Sequence, residues 1–202
     1  MAPKNSERSK TDRLRQALAH ETAKLIVAEG VRDFNRAKLK ASERLGKSQH
    51  GSLTSNFEIE QAITSFQKTF IPDHQQKLTA ERCVALITMG WLQDYAPFLV
   101  GPVLEGTAGI NTPISIHVSC DSVEDIIGIL QNKNIELKFA ERRLKLNNEF
   151  VFLPTISFEY QDHEIDVLVF SLRQQHQLPK SKSQNRSMQR INLKGLKELL
   201  AD

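Results

Sequence analysis

The chain has 202 residues, 40% apolar and 25% charged, with a net charge of +3. That composition supports a sizeable core, in one domain with appendages or in two small domains. No apolar run approaches the roughly 18 residues of a membrane span, so no membrane partner is expected.

Two distant cysteines, Cys83 and Cys120, lack CxxC spacing. They argue for a reduced, cytoplasmic protein rather than a disulfide scaffold or zinc ribbon. Cys120 reads as a small buried thiol, and Cys83 as a core residue of a helix. The start, MAPKNSERSKTDR, is polar and basic with no apolar segment behind it, which excludes a secretory signal. Charge is uneven: residues 1–50 carry 12 Lys/Arg against 6 Asp/Glu, residues 51–170 carry 8 against 16, and residues 171–202 carry 7 against 2. Basic ends around an acidic body suit nucleic-acid contact, docking of the ends, or solvated termini.

Residues 1–10 read as a flexible tail. The spacing of Leu14, Leu18, Leu25 and Ile26 predicts a helix from Thr11 to a stop at Glu29-Gly30. A second helix is expected from Asp33 to Leu45, closed by Gly46, and then a polar loop from Lys47 to Ser55. A third, from Asn56 to Phe70, carries the stripe Phe57, Ile59, Ile63 and Phe66, with Ser55 or Asn56 as cap and Glu58 close behind. A fourth runs from Leu78 to Tyr95. The apolar helix, glycine turn and basic helix between Ala23 and Gly46 have some look of a helix-turn-helix. Glu58 and Glu60 at the start of the next helix would repel phosphates, which weakens DNA reading by this region.

Phe98 to Val100 reads as a short strand and Ile114 to Ser119 as a second. Ile114, Ile116 and Val118 share one face of the second, and Ser115, His117 and Ser119 the other. Gly101, Gly106 and Gly109 punctuate the intervening turn, where backbone turns sharply or approaches a ligand closely. Glycine-borne amides there, with a hydroxyl of Thr107 or Thr112, suit phosphate binding.

Asp121 to Leu130 reads as a helix capped by Asp121 or Ser122. Ile135 to Phe139 and Arg142 to Leu146 read as two strands, with Arg142, Arg143 and Lys145 forming a basic cluster that protects a sheet edge or faces a phosphate. Asn147-Asn148 is a turn. Phe150 to Tyr160 and Glu164 to Leu172 form a hairpin through Gln161-Asp162-His163. Arg173 to Arg190 is polar and reads as a flexible loop. Asn192 to Leu200 is a last helix that docks through Leu193, Leu196, Leu199 and Leu200. The domains expected are a tail at 1–10, a helical region at 11–78, an α/β domain at 79–172, and a basic loop with docking helix at 173–202. The fold class is α+β, helices first and then a small mixed sheet flanked by helices.

Leu99-Val100-Gly101-Pro102, then Gly106, then Thr112 to Val118, with Glu164-Ile165-Asp166 on a later strand, resemble the nucleotidyltransferase superfamily of polymerase-beta-like fold over residues 80–172. The resemblance implies a magnesium-binding carboxylate pair at alternate positions of the second strand, a serine after the first glycine, and a third carboxylate later. Those positions hold Pro113 and Ser115, Pro102, and Asp166. Proline and serine give no anionic oxygens to a divalent cation. The chain is similar to small bacterial proteins that carry such a degenerate domain behind a helical leader.

The resemblance therefore implies a catalytically degenerate protein that binds a nucleotide, nucleic acid or protein partner through Gly101, Gly106, Thr107, Thr112, Ser115 and His117. An active transferase rearranged around Asp166 is the alternative, and only that reading brings in Mg2+; no metal ligand set is assigned. A DNA-binding regulator using the N-terminal helices is the third reading. No P-loop, nucleophile elbow or His-Glu-x-x-His motif is present.

Overall fold

A computed structural model describes residues 4–46, 54–147, 149–177, 179 and 188–201. The fold is α+β, with the helices first and one six-stranded mixed sheet after them. It divides into two compact units, one up to His74 together with Thr107–Asn111, the other formed by Gln75–Gly106 and most of the chain from Thr112 onward.

The helical unit is built on α1 (Lys4–Val27), α2 (Phe34–Arg44) and α3 (Asn56–Phe70). Helix α1 starts at Lys4, inside the segment expected as a tail. It serves two neighbours with two faces. Ala19, Ala23 and Val27, four residues apart, pack with Ile59, Ala62 and Ile63 of α3. Leu18 and Leu25 pack with Ala37 and Ala41 of α2. Asp33 caps α2 by accepting from Arg36 N at 2.8 Å. Ser55 and Glu58 form a reciprocal capping box on α3, whose ends fall where the sequence put them. Phe57 departs from the expected stripe and is exposed. The loop from Lys47 to Leu53 lies outside the described residues.

The second unit begins with α4 (His74–Trp91), followed by a 3-10 turn over Gln93–Tyr95. Its buried stripe is Leu78, Val84, Ala85, Thr88 and Met89. Cys83 falls beside that stripe and is exposed, contrary to the core position expected for it; Cys120 is buried as expected. Strand β1 (Phe98–Val100) leads through a single helical turn, α5 (Pro102–Glu105), to β2 (Ile114–Ser119). Helix α6 (Val123–Gln131) follows. Its N-cap Ser122 makes no side-chain cap bond, and Asp121 instead accepts from Leu172 N at 3.1 Å.

Strand β3 (Lys138–Leu146) is one continuous strand where the sequence suggested two. It pairs with β4 (Glu149–Tyr160), which turns through Gln161 and Asp162, both at positive φ, into β5 (His163–Phe170). That is the two-residue hairpin geometry whose twist matches the flanking strands. Strand β6 (Arg190–Asn192) and helix α7 (Leu193–Ala201) complete the unit. Leu196 of α7 is buried, while Leu193, Leu199 and Leu200 are half-buried.

The sheet order is β3-β4-β5-β2-β1-β6. Strands β2 and β5 are parallel and every other pair is antiparallel. One face carries Leu99, Ile114, Ile116, Val118, Ile156, Phe158, Ile165, Val167 and Val169, all buried. Together with Met89, Ile126, Leu130 and Leu196 they make this unit's core. Alternation then forces Ser115, His117 and Asp166 onto the opposite face.

Candidate functional site

The central strands fix the site by register. Ser115 of β2 pairs with Asp166 of β5, and Asp166 pairs in turn with Ser157 of β4. His117 stands one repeat further along, opposite Phe98 of β1. Val100 lies across from both Ser115 and Arg190, so Arg190 enters the same face from the far edge. Arg142 enters it from β3 at the other edge.

Asp166 is only 4% exposed, and both of its oxygens are engaged. Oδ1 accepts from Ser157 Oγ at 2.7 Å, and Oδ2 accepts from Arg142 Nη2 at 2.7 Å. A buried carboxylate requires such partners, because desolvation of an unpaired charge is costly. Among the described residues no group of three His, Cys, Asp or Glu side chains stands ready for a metal ion. The neighbouring positions, Pro113 and Ser115, give no anionic oxygen either. These residues do not fit the magnesium site that the family resemblance implies.

His117 is buried with its ring 4.7 Å from that of Phe170. Burial, reinforced by the positive charges of Arg142 and Arg190, lowers its pKa to about 4, so the imidazole is neutral at pH 7. The Arg190 guanidinium lies over the Phe98 ring, 4.3 Å from its centroid, and donates Nη1 to Gln175 O at 2.9 Å. Beside the polar residues, Leu146, Leu153, Leu168 and Phe170 form a small apolar cluster. The face therefore combines two guanidinium groups, one carboxylate, a neutral imidazole and hydroxyls at Ser115 and Ser157.

The other sequence candidates, Gly101, Gly106, Thr107 and Thr112, lie on the connection between β1 and β2. Gly101 ends β1 with φ of 73° and ψ of −156°, a conformation that suits glycine, and a Cβ there would meet open space. Gly106 closes α5 at φ 78°. Thr112 precedes β2 within the same unit, whereas Thr107 groups with the helical unit. Gly109 does too: its Cα faces the end of α1, where a Cβ would lie 3.0 Å from Ile26 O. The stretch from Gly101 to Gly109 is thus not a continuous turn. It is interrupted by α5, and its second half serves helix packing.

Sequence reasoning missed Arg190 and the partnership of Arg142 with Asp166. The first sits in a three-residue strand inside a stretch that read as loop. The second joins residues that only the β3-β4-β5 register brings together.

The chain matches no protein-family model, no curated protein and no solved structure.

Proposed function

We propose that the polar face of the sheet binds the phosphates of a nucleotide through arginine charge, on a nucleotidyltransferase-like frame that has lost metal-dependent transfer. The observation that carries this reading is the state of Asp166. Its oxygens are committed to Arg142 and Ser157, while the charges of Arg142 and Arg190 converge on the neutral His117. Two cations against one anion leave a net positive site, and guanidinium groups match phosphate oxygens in a planar, two-pronged geometry. The register of Ser115 with Asp166 also supports the frame, because it aligns the second carboxylate position of the resemblance with the third.

On this reading Arg142 and Arg190 neutralise phosphate charge, His117 and Ser115 offer neutral polar atoms, and Phe98 holds the Arg190 plane in place. Transfer chemistry would need anionic oxygens for a divalent ion at the phosphates. Asp166 would first have to leave both of its partners.

Calorimetric titration with ATP, GTP, CTP and UTP, in magnesium and again in EDTA, tests the proposal. Heat with at least one nucleotide, retained in EDTA and weakened about tenfold or more by Arg190→Ala, is expected, since a charge-assisted contact contributes about 1.5–3 kcal/mol. Absence of heat with all four overturns it. Incubation with labelled nucleotides and cell extract is expected to give equal, background labelling for the native protein and Asp166→Ala. Labelling that depends on Asp166 would restore the transferase alternative.

A further inference from the structure

Strands β3 and β4 extend past β5, whose pairing with β4 stops at Thr155. The ribbon that results has two unlike faces. Leu144, Leu146, Val151 and Leu153 turn toward the apolar cluster beside the polar face. On the other face β3 presents Glu141, Arg143 and Lys145, and β4 presents Phe150, Phe152 and Pro154.

The two phenylalanines there, Phe150 and Phe152, are 59% and 63% exposed. Cations are interleaved with them: Arg143 pairs across the ribbon with Phe152, and Lys145 with Phe150. The Arg143 guanidinium lies 3.8 Å from the Phe150 centroid, and Lys145 Nζ lies 5.9 Å from it. The surrounding sequence is acidic, yet Arg143 and Lys145 outnumber the one carboxylate that β3 places on this face, Glu141; Lys138 and Arg142 of the same strand alternate onto the other face. Charges alone would guard an open sheet edge. They do not account for two exposed aromatic rings on one strand.

We propose that this outer ribbon face binds single-stranded nucleic acid. Rings along one strand, two residues and about 7 Å apart, offer successive platforms for bases. The interleaved Arg143 and Lys145 meet the phosphates, as the charge complementarity of a polyanion requires. A second copy of the chain is the poorer occupant, because a two-fold contact would set Arg143 and Lys145 against their own duplicates. The proposal concerns a different surface from the Arg142 and Arg190 site and does not depend on it.

Fluorescence anisotropy of a labelled oligothymidylate of about a dozen nucleotides, titrated with the full chain across a salt series, tests it. Binding is expected to weaken with salt. The double variant Phe150→Ala, Phe152→Ala should weaken it by about tenfold or more with the salt slope unchanged. Arg143→Ala with Lys145→Ala should reduce the slope by about 1.4, two phosphate contacts' worth. Circular dichroism melting checks that each variant folds. No binding by the native chain, or binding indifferent to loss of both rings, overturns the proposal. So does a dimer, seen by light scattering, that needs Phe150 and Phe152 while no oligonucleotide binds.

Discussion

Arg142 on the edge strand β3 donates to Asp166 on β5 at 2.7 Å, spanning the intervening strand β4. The carboxylate is buried, whereas the Arg142 side chain keeps 40% of its exposure. The pair is therefore lopsided: Arg142 can return to water, but Asp166 cannot. Arg142→Met leaves a buried charge with Ser157 as its remaining side-chain partner and should cost about 1–3 kcal/mol. Asp166→Asn on top of it should recover part of that loss, because a neutral amide needs no counter-charge. Urea unfolding of the single and double variants measures the coupling, expected at about 1 kcal/mol or more. Additive effects would mean that the contact contributes nothing.

His117 ties the site to pH. The folded chain holds it neutral down to about pH 4, while an unfolded histidine takes its proton near the ordinary value of 6.5. Between those values the unfolded chain binds more protons, so acid favours unfolding. Stability from this group is full above about pH 6.5 and should fall by up to about 3 kcal/mol as pH drops to about 4. Denaturant unfolding at a series of pH values, native against His117→Gln, isolates the contribution. A phosphate bound nearby would offset the two guanidinium charges and raise the His117 pKa, a shift that NMR titration with and without nucleotide can detect.

The contrast between α3 and the β1–β2 connection explains what the sequence made legible. Ser55, Glu58, Ile59 and Ile63 act within a few residues of one another, so cap, start and buried face could be read locally. The alternation of Ile165, Val167 and Val169 with Asp166 likewise follows from strand periodicity, but that Ser115 shares the face of Asp166 follows only from the β2–β5 register. The fate of Gly109 depends on α1, some eighty residues earlier in the chain, and no local pattern signals it. Arg190 was hidden for another reason. A three-residue edge strand has too little alternation to stand out from polar loop, and its meaning comes from pairing with Val100.

The capping box on α3 gives a local test of the helical unit. Ser55 Oγ accepts from Glu58 N at 3.2 Å, Ser55 N donates to Glu58 Oε2 at 2.8 Å, and Arg15 Nε contacts Glu58 Oε1 at 2.6 Å. Ser55→Ala removes one half of this arrangement and should cost about 1 kcal/mol. Ser55→Asp keeps an acceptor at the cap and should restore most of it. Thermal melting followed by helical circular dichroism reads both, and an unchanged midpoint for Ser55→Ala would show that the cap is dispensable.

Gly101 and Gly109 lie in the same connection yet should fail differently when given a side chain. At Gly109 the added carbon meets backbone, Ile26 O at 3.0 Å and Val27 Cα at 3.2 Å, and the end of a helix yields less readily than a flexible side chain. Gly109→Ala should therefore destabilise by about 1–3 kcal/mol through overpacking within the helical unit. At Gly101 there is room for the atom but not for the conformation, since φ is 73° with ψ near −156°. Gly101→Ala should cost a similar 1–3 kcal/mol, roughly, through backbone strain within the sheet unit. Hydrogen exchange separates the two: Gly109→Ala should lower protection first in α1 and α3, and Gly101→Ala first in β1 and β2. If both variants lose protection everywhere equally, the two units unfold together and the difference in mechanism has no local consequence.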